Sequence, residues 1–126
     1  MLEPHPFRRA AEAKDIDLLV ETLREDVVLH SPILFRPFEG REIVAQVLTH
    51  VAATLEDLTY VDEAAGEGTV VLRFTARVGD RELEGIDYLT LDEDGRVADL
   101  TVFMRPMSAL TRFNEQMAER LGVEAG

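Results

Sequence analysis

Three consecutive segments in the second half of the chain alternate apolar and polar residues with a period of two, and short turns join them. In Thr69 to Val78, Val70, Leu72, Phe74 and Ala76 share one face while Val71, Arg73, Thr75 and Arg77 share the other. Strand side chains point alternately to opposite sides, so this pattern specifies a sheet with one buried face. Gly79-Asp80 turns the chain into Leu83 to Leu91, and Asp92-Glu93-Asp94-Gly95 turns it into Arg96 to Arg105. Connections this short join only antiparallel neighbours, so the three strands form a meander.

Helical signals surround that meander. Pro4 and Pro6 precede a helix over Phe7 to Ala13, and Asp15 is placed to cap a second. Val27 to Ser31 reads as a short strand stopped by Pro32, followed by a loop holding Phe35, Pro37 and Phe38. Ile43, Val47, Val51 and Leu55 recur every four residues with Val44 and Leu48 beside them, which predicts an amphipathic helix of about four turns. Leu58 to Asp62 is a weaker strand, ended by the turn-rich Ala64 to Gly68. Pro106 ends the meander. Ser108 is expected to cap a last helix whose stripe is Leu110, Phe113, Met117 and Leu121, with Gly122 as its stop. Helices that close one face of an antiparallel sheet make an α+β fold, and residues 1–126 form a single domain.

Charge excludes several classes of partner. Thirteen basic residues against 25 acidic ones give a net charge of −12, which argues against nucleic acid and against an anionic membrane surface. Without cysteine there is neither a disulfide nor a thiol nucleophile. The segment Met1 to Pro6 carries no apolar signal core and no run approaches membrane-spanning length, so a cytoplasmic location is expected. His5, His30 and His50 fall in a tail, a strand and a helix, none at the spacing that puts two ligands on one helical face. No metal site is expected, and the lack of a Gly-rich phosphate loop leaves no cofactor implied.

Against this background Asp87 stands out. In Leu83 to Leu91 it shares the odd-numbered face with Leu83, Gly85, Leu89 and Leu91 and therefore points into the core. A carboxylate leaves water at high cost unless it is paired, hydrogen-bonded or neutralised. Asp87 is thus either a polar anchor inside an apolar pocket or a structural Asp that satisfies a nearby donor. No basic residue shares that face of its strand, so its pKa is expected above the ordinary value.

The order of these elements resembles the nuclear transport factor 2-like superfamily, and within it the SnoaL-like group of polyketide cyclase-type and ketosteroid isomerase-type proteins. The resemblance is carried by Asp15 to Leu19, Asp26 to Pro32, Phe38 to Ile43, Gly85 to Leu89 and Asp94 to Val97. It implies a cone-shaped, curved antiparallel sheet closed by the N-terminal helices, the cystatin-like α+β barrel. It also implies a catalytic role for Asp87, as the counterpart of the isomerases' second oxyanion-hole acid. In those isomerases an apolar site keeps that acid protonated so that it can donate a hydrogen bond, a known property of the family rather than a result for this chain. Two other isomerase groups are missing, since the general base before a Pro falls on Ser31 and the phenol of the first helix falls on Phe7. Steroid isomerisation is therefore not expected. The Arg-x-Asp pair of epoxide hydrolases of this fold is absent too, because Thr75 follows Arg73.

His30 is the other candidate catalytic residue, because imidazole exchanges protons near neutral pH. Adjacent strand residues point oppositely, so His30 and Ser31 do not both enter a pocket without a bulge. A structural, hydrogen-bonded His30 is the alternative. Phe7, Ser31, Phe35, Phe38, Phe74, Leu89, Val102 and Met104 are the expected lining of a pocket for a small hydrophobic molecule. Whether that pocket belongs to a cofactor-independent isomerase, cyclase or hydrolase, or to a non-catalytic binding or dimerisation module, stays open at this level. The outer face of the meander, with Ile86, Tyr88, Thr101 and Phe103 beside Arg73, Thr75 and Arg105, is the expected homodimer surface.

Overall fold

A computed structural model describes residues 4–122 and contains four helices and six strands among them. Helices α1 (Pro6–Ala13) and α2 (Ile16–Glu21) lead into strand β1 (Leu23–His30), which is followed by β2 (Phe38–Glu39) and helix α3 (Arg41–Thr54). Strands β3 (Glu56–Gly66), β4 (Thr69–Val78), β5 (Arg81–Leu91) and β6 (Val97–Arg105) complete the sheet, and α4 (Met107–Leu121) closes the described chain. The strand order is β2-β1-β6-β5-β4-β3. The expected meander is present as β4, β5 and β6, antiparallel throughout. The first strand adds a pairing that alternation could not specify, because β1 lies parallel to β6 and makes the sheet mixed.

One face of this sheet is the core. Val70, Leu72, Phe74, Ala76 and Val78 of β4 are all buried, as are Leu83, Asp87 and Leu89 of β5. Gly85 interrupts that inward row for a steric reason. A Cβ there would run into the Phe103 carbonyl oxygen and the tip of the Phe74 ring, so glycine lets the Phe74 ring lie close against β5. The helices pack on the same side, with α1 on β3, α3 on β1 and α4 across β4, β5 and β6.

Local boundaries follow recognisable chemistry. Asp15 caps α2 by accepting a hydrogen bond from the Leu18 N–H. Gly122 ends α4 in the left-handed region at φ 71°, a conformation costly for other residues. Two expectations need correction. Ser108 is not the cap of α4, which begins at Met107 after Pro106, because the ring of Pro106 presets the extended entry and leaves Ser108 within the first turn. In α3 the buried apolar residues are Val44, Val47 and Leu48, while Ile43 is exposed, so the packed stripe is rotated from the one that begins at Ile43. No helix among the described residues is long and apolar enough to cross a membrane.

Candidate functional site

The helices and the inner sheet face enclose an apolar cavity of about 160 Å³. Phe7 and Ala10 of α1, Val47 and Leu48 of α3, Phe74 of β4, Val102 and Met104 of β6, and Phe113 and Met117 of α4 are among the residues that form its wall. Asp87 is the one carboxylate in that wall among the described residues, and it is 6% exposed. The strand pattern aims it inward as expected. Its partner comes from β3: the Tyr60 hydroxyl donates to Asp87 Oδ2 at 2.6 Å. Asp87 Oδ1 has no partner among the described residues. Because no fully buried side-chain oxygen or nitrogen among them lacks a hydrogen bond, Oδ1 retains contact with the cavity.

Three features of the chain put the Tyr60 phenol in that place. Thr59 and Tyr60 pair with Thr75 and Phe74, whereas Asp62 and Glu63 pair with Arg73 and Leu72, so Val61 is an extra residue that forms a bulge. Because β3 is the last strand of the sheet, its backbone groups that point away from β4 are open, and α1 takes hold of those of Tyr60. The Tyr60 N–H donates to Glu12 Oε2 at 3.0 Å, and the Tyr60 carbonyl accepts from the Arg8 guanidinium at 3.0 Å. Arg8 and Glu12 stand one helical turn apart and pair with each other at 3.9 Å. Last, the Phe74 ring, lowered onto Gly85, meets the Tyr60 ring edge-on with centroids 5.9 Å apart. The phenol then passes above β4 to reach Asp87 on the next strand.

The electrostatics follow from burial. Loss of water pushes the Asp87 carboxyl up to about 7, against the downward pull of the Tyr60 hydrogen bond. The Tyr60 phenol is held well above its ordinary range by burial and then by the adjacent Asp87, so it remains a donor. Near neutral pH Asp87 therefore exists in two forms. Protonated, its Oδ1 side can donate to an oxygen in the cavity, and ionised, it can accept a proton there.

The other expected site residues divide clearly. Phe7, Ser31, Phe38, Phe74, Val102 and Met104 line the cavity. Phe35 does not, and it is fully exposed at 100%, because the loop that carries it has no strand or helix period to turn it inward. Leu89 is buried by direct packing in the core and does not reach the cavity wall. His30 lies outside the cavity, on the opposite face of β1 from Leu29, and its Nε2 meets Asp99 Oδ2 at 3.0 Å. His30 therefore does not line this cavity, and it pairs with Asp99 on the other face of the sheet. The Ser31 hydroxyl is committed to its own loop, where it accepts from the Leu34 N–H at 3.0 Å. Lys14 reaches the lining, but its ammonium donates to the Leu55 carbonyl at 2.7 Å. Among the described residues no three His, Cys, Asp or Glu side chains gather as a metal ion would require.

Known proteins share this framework. A family model described as a SnoaL-like domain matches residues 6–100. The solved structure of a steroid delta-isomerase from Pseudomonas aeruginosa is 38% identical, with a TM-score of 0.87 over 92% of this chain and 86% of that one. A bacterial protein with a cystatin-like fold from Silicibacter pomeroyi is 28% identical, with a TM-score of 0.89 over 95% of this chain and 85% of that one. A nuclear transport factor 2-like protein from Cytophaga hutchinsonii shares the fold at 14% identity, with a TM-score of 0.69 over 83% of this chain and 88% of that one. No curated protein sequence matches the chain. The chain belongs to the SnoaL-like domain family.

The coupling of the two buried groups is directly testable. Tyr60→Phe keeps the ring and removes the only side-chain donor to Asp87 among the described residues, so the Asp87 pKa should rise above about 7. Carbon-13 NMR of the Asp87 carboxyl across a pH titration reads this shift. A lower or unchanged value would show that the phenol does not stabilise the carboxylate.

Proposed function

We propose that this SnoaL-like chain binds a small, hydrophobic, carbonyl-bearing molecule in the cavity, with the Asp87 carboxyl donating a hydrogen bond to the carbonyl oxygen. The observation that carries the reading is the Asp87 Oδ1 atom, turned toward an apolar cavity with no protein partner among the described residues. A ligand pocket that is mostly apolar, with a few convergent polar groups, fixes orientation through those groups. Tyr60 keeps the acid oriented and takes no part in the contact itself. As the only carboxyl, imidazole or thiol in the lining among the described residues, Asp87 in its ionised form, which no longer donates to the carbonyl, is the group that could lift a proton from a bound ketone and return it. Isomerase-type or cyclase-type chemistry of that kind agrees with the family. Without turnover the same contacts make a ligand-binding module.

The activity named for the Pseudomonas relative is not part of this reading. Ser31, at the position where the resemblance puts a base, is held by its loop, and a cavity of about 160 Å³ is small for a four-ring skeleton. Pockets for drug-sized ligands run to roughly 300–1,000 Å³.

Calorimetric titration with 2-tetralone and with the hydrocarbon tetralin tests the donor role. The ketone should bind about tenfold more tightly below about pH 6 than above about pH 8, because only the protonated acid donates. Tetralin should show no such dependence, and Asp87→Leu should abolish the difference. A ketone affinity that is flat with pH or that rises through this range would refute the donor role.

The reading includes a homodimer through the outer face of β4, β5 and β6. Phe103 is 54% exposed there and Tyr88 39%, with Arg73 and Arg105 flanking Glu84 at 3.9 and 3.4 Å around them. An apolar centre with a charged rim is the composition of an interface. Light scattering at micromolar concentration should give twice the monomer mass, and Phe103→Glu should give the monomer. A monomeric wild type, or a dimeric Phe103→Glu, would count against it.

A further inference from the structure

Helix α4 repeats, on a helical period, the anomaly that Asp87 presents on a strand. Its buried residues are Ala109, Phe113, Met117 and Ala118, a stripe shifted from the expected Leu110, Phe113, Met117 and Leu121, and Asn114 lines the cavity beside Phe113, Met117 and Ala118. Asn114 lines the cavity, is partly buried, and makes no side-chain hydrogen bond among the described residues. The amide has two donor hydrogens and an acceptor oxygen. Water can serve it while the cavity is open, but an apolar ligand that displaced the water would leave it unsatisfied. Its place on the wall matters as well. Asp87 is 6% exposed at the closed end, while Leu34 at 47% and Leu121 at 40% mark the solvent side of the same lining. The helix also begins at Met107, outside the residues 6–100 matched by the family model.

We propose that Asn114 is a second polar contact for the ligand and sets its specificity, so that the preferred ligand is a neutral ring compound with a carbonyl for Asp87 and a second oxygen function, hydroxyl or carbonyl, for Asn114. The inference rests on the carbonyl-binding reading above and extends it. A neutral ligand matches a lining that is mostly apolar and whose cationic group among the described residues, Lys14, directs one donor to the Leu55 carbonyl. Discrimination comes from the cost of an unmet amide. A site built to hydrogen-bond a hydroxyl rejects the analogue that lacks one more strongly than an apolar site rejects a smaller ring.

Titration calorimetry with the matched pair 2-tetralone and 6-hydroxy-2-tetralone provides the test. Wild type should bind the hydroxy ketone about tenfold more tightly. Asn114→Leu, which continues the apolar stripe and should fold normally, should erase that preference while holding or improving affinity for 2-tetralone. Asn114→Gln keeps the amide and should retain part of the preference. If the preference is missing in wild type or survives in Asn114→Leu, while both ketones still bind in an Asp87-dependent way, the role of Asn114 is overturned and the reading of the cavity stands. If neither ketone binds wild type, both are overturned.

Discussion

The hydrogen bond from Tyr60 to Asp87 is the interaction on which the interior of this protein depends. A carboxyl placed among Phe74, Leu100, Val102 and Phe113 has lost nearly all its water, and burial of an unpaired charge is strongly unfavourable. The chain meets that cost in two ways. It gives one carboxyl oxygen a buried phenol at 2.6 Å, and it lets the proton stay on the acid up to about pH 7. Neither measure satisfies the second oxygen. That atom faces the cavity, and a ligand oxygen is the natural complement to a carboxylic acid that has no other partner.

Placement of the phenol depends on distant parts of the chain. Arg8 and Glu12 hold the backbone of Tyr60 from the first helix, along the open edge of β3. Gly85, two residues before Asp87, lets the Phe74 ring drop and leaves room above β4. The site is therefore assembled from α1, β3, β4 and β5, and changes at Arg8 or Glu12, which touch no ligand, act on it through Tyr60. Preorganisation of this kind lowers the cost of binding because the donor is oriented before the ligand arrives.

Much of this arrangement is legible in the sequence, and the exceptions have physical reasons. Strict alternation in β4 and β5 aims Val70 to Val78 and Asp87 without ambiguity, since a strand has a fixed period. Tyr60 lies in a segment whose alternation fails, because the Val61 bulge moves the inward position from even to odd numbers, so that Glu63 follows Tyr60 on that face. A lone aromatic in a weak strand gives no sign that its hydroxyl will meet an acid on another strand. The parallel contact of β1 with β6 joins residues such as Leu29 and Leu100, a pairing with no local signature. Phe35 misleads because its loop has no period at all, and exposure of one large apolar residue is common. The signal at Asn114 has the same form as that at Asp87, a polar residue on an apolar stripe.

Every role given to Asp87 requires that it hold its proton more tightly in the folded chain than in the unfolded one. A raised folded pKa contributes stability that is complete below the unfolded value of about 3.9 and is lost as pH rises through about 7. Asp87→Asn preserves the shape and the contact with Tyr60 but cannot ionise. Urea unfolding of both proteins between about pH 4 and pH 8 isolates this difference. The mutant should gain on the wild type throughout that rise, by a few kcal/mol in total, and the gain should level off above pH 7. If instead the wild type gains on the mutant as pH rises, Asp87 is an ionised and paired carboxylate, and the donor at the base of the cavity does not exist.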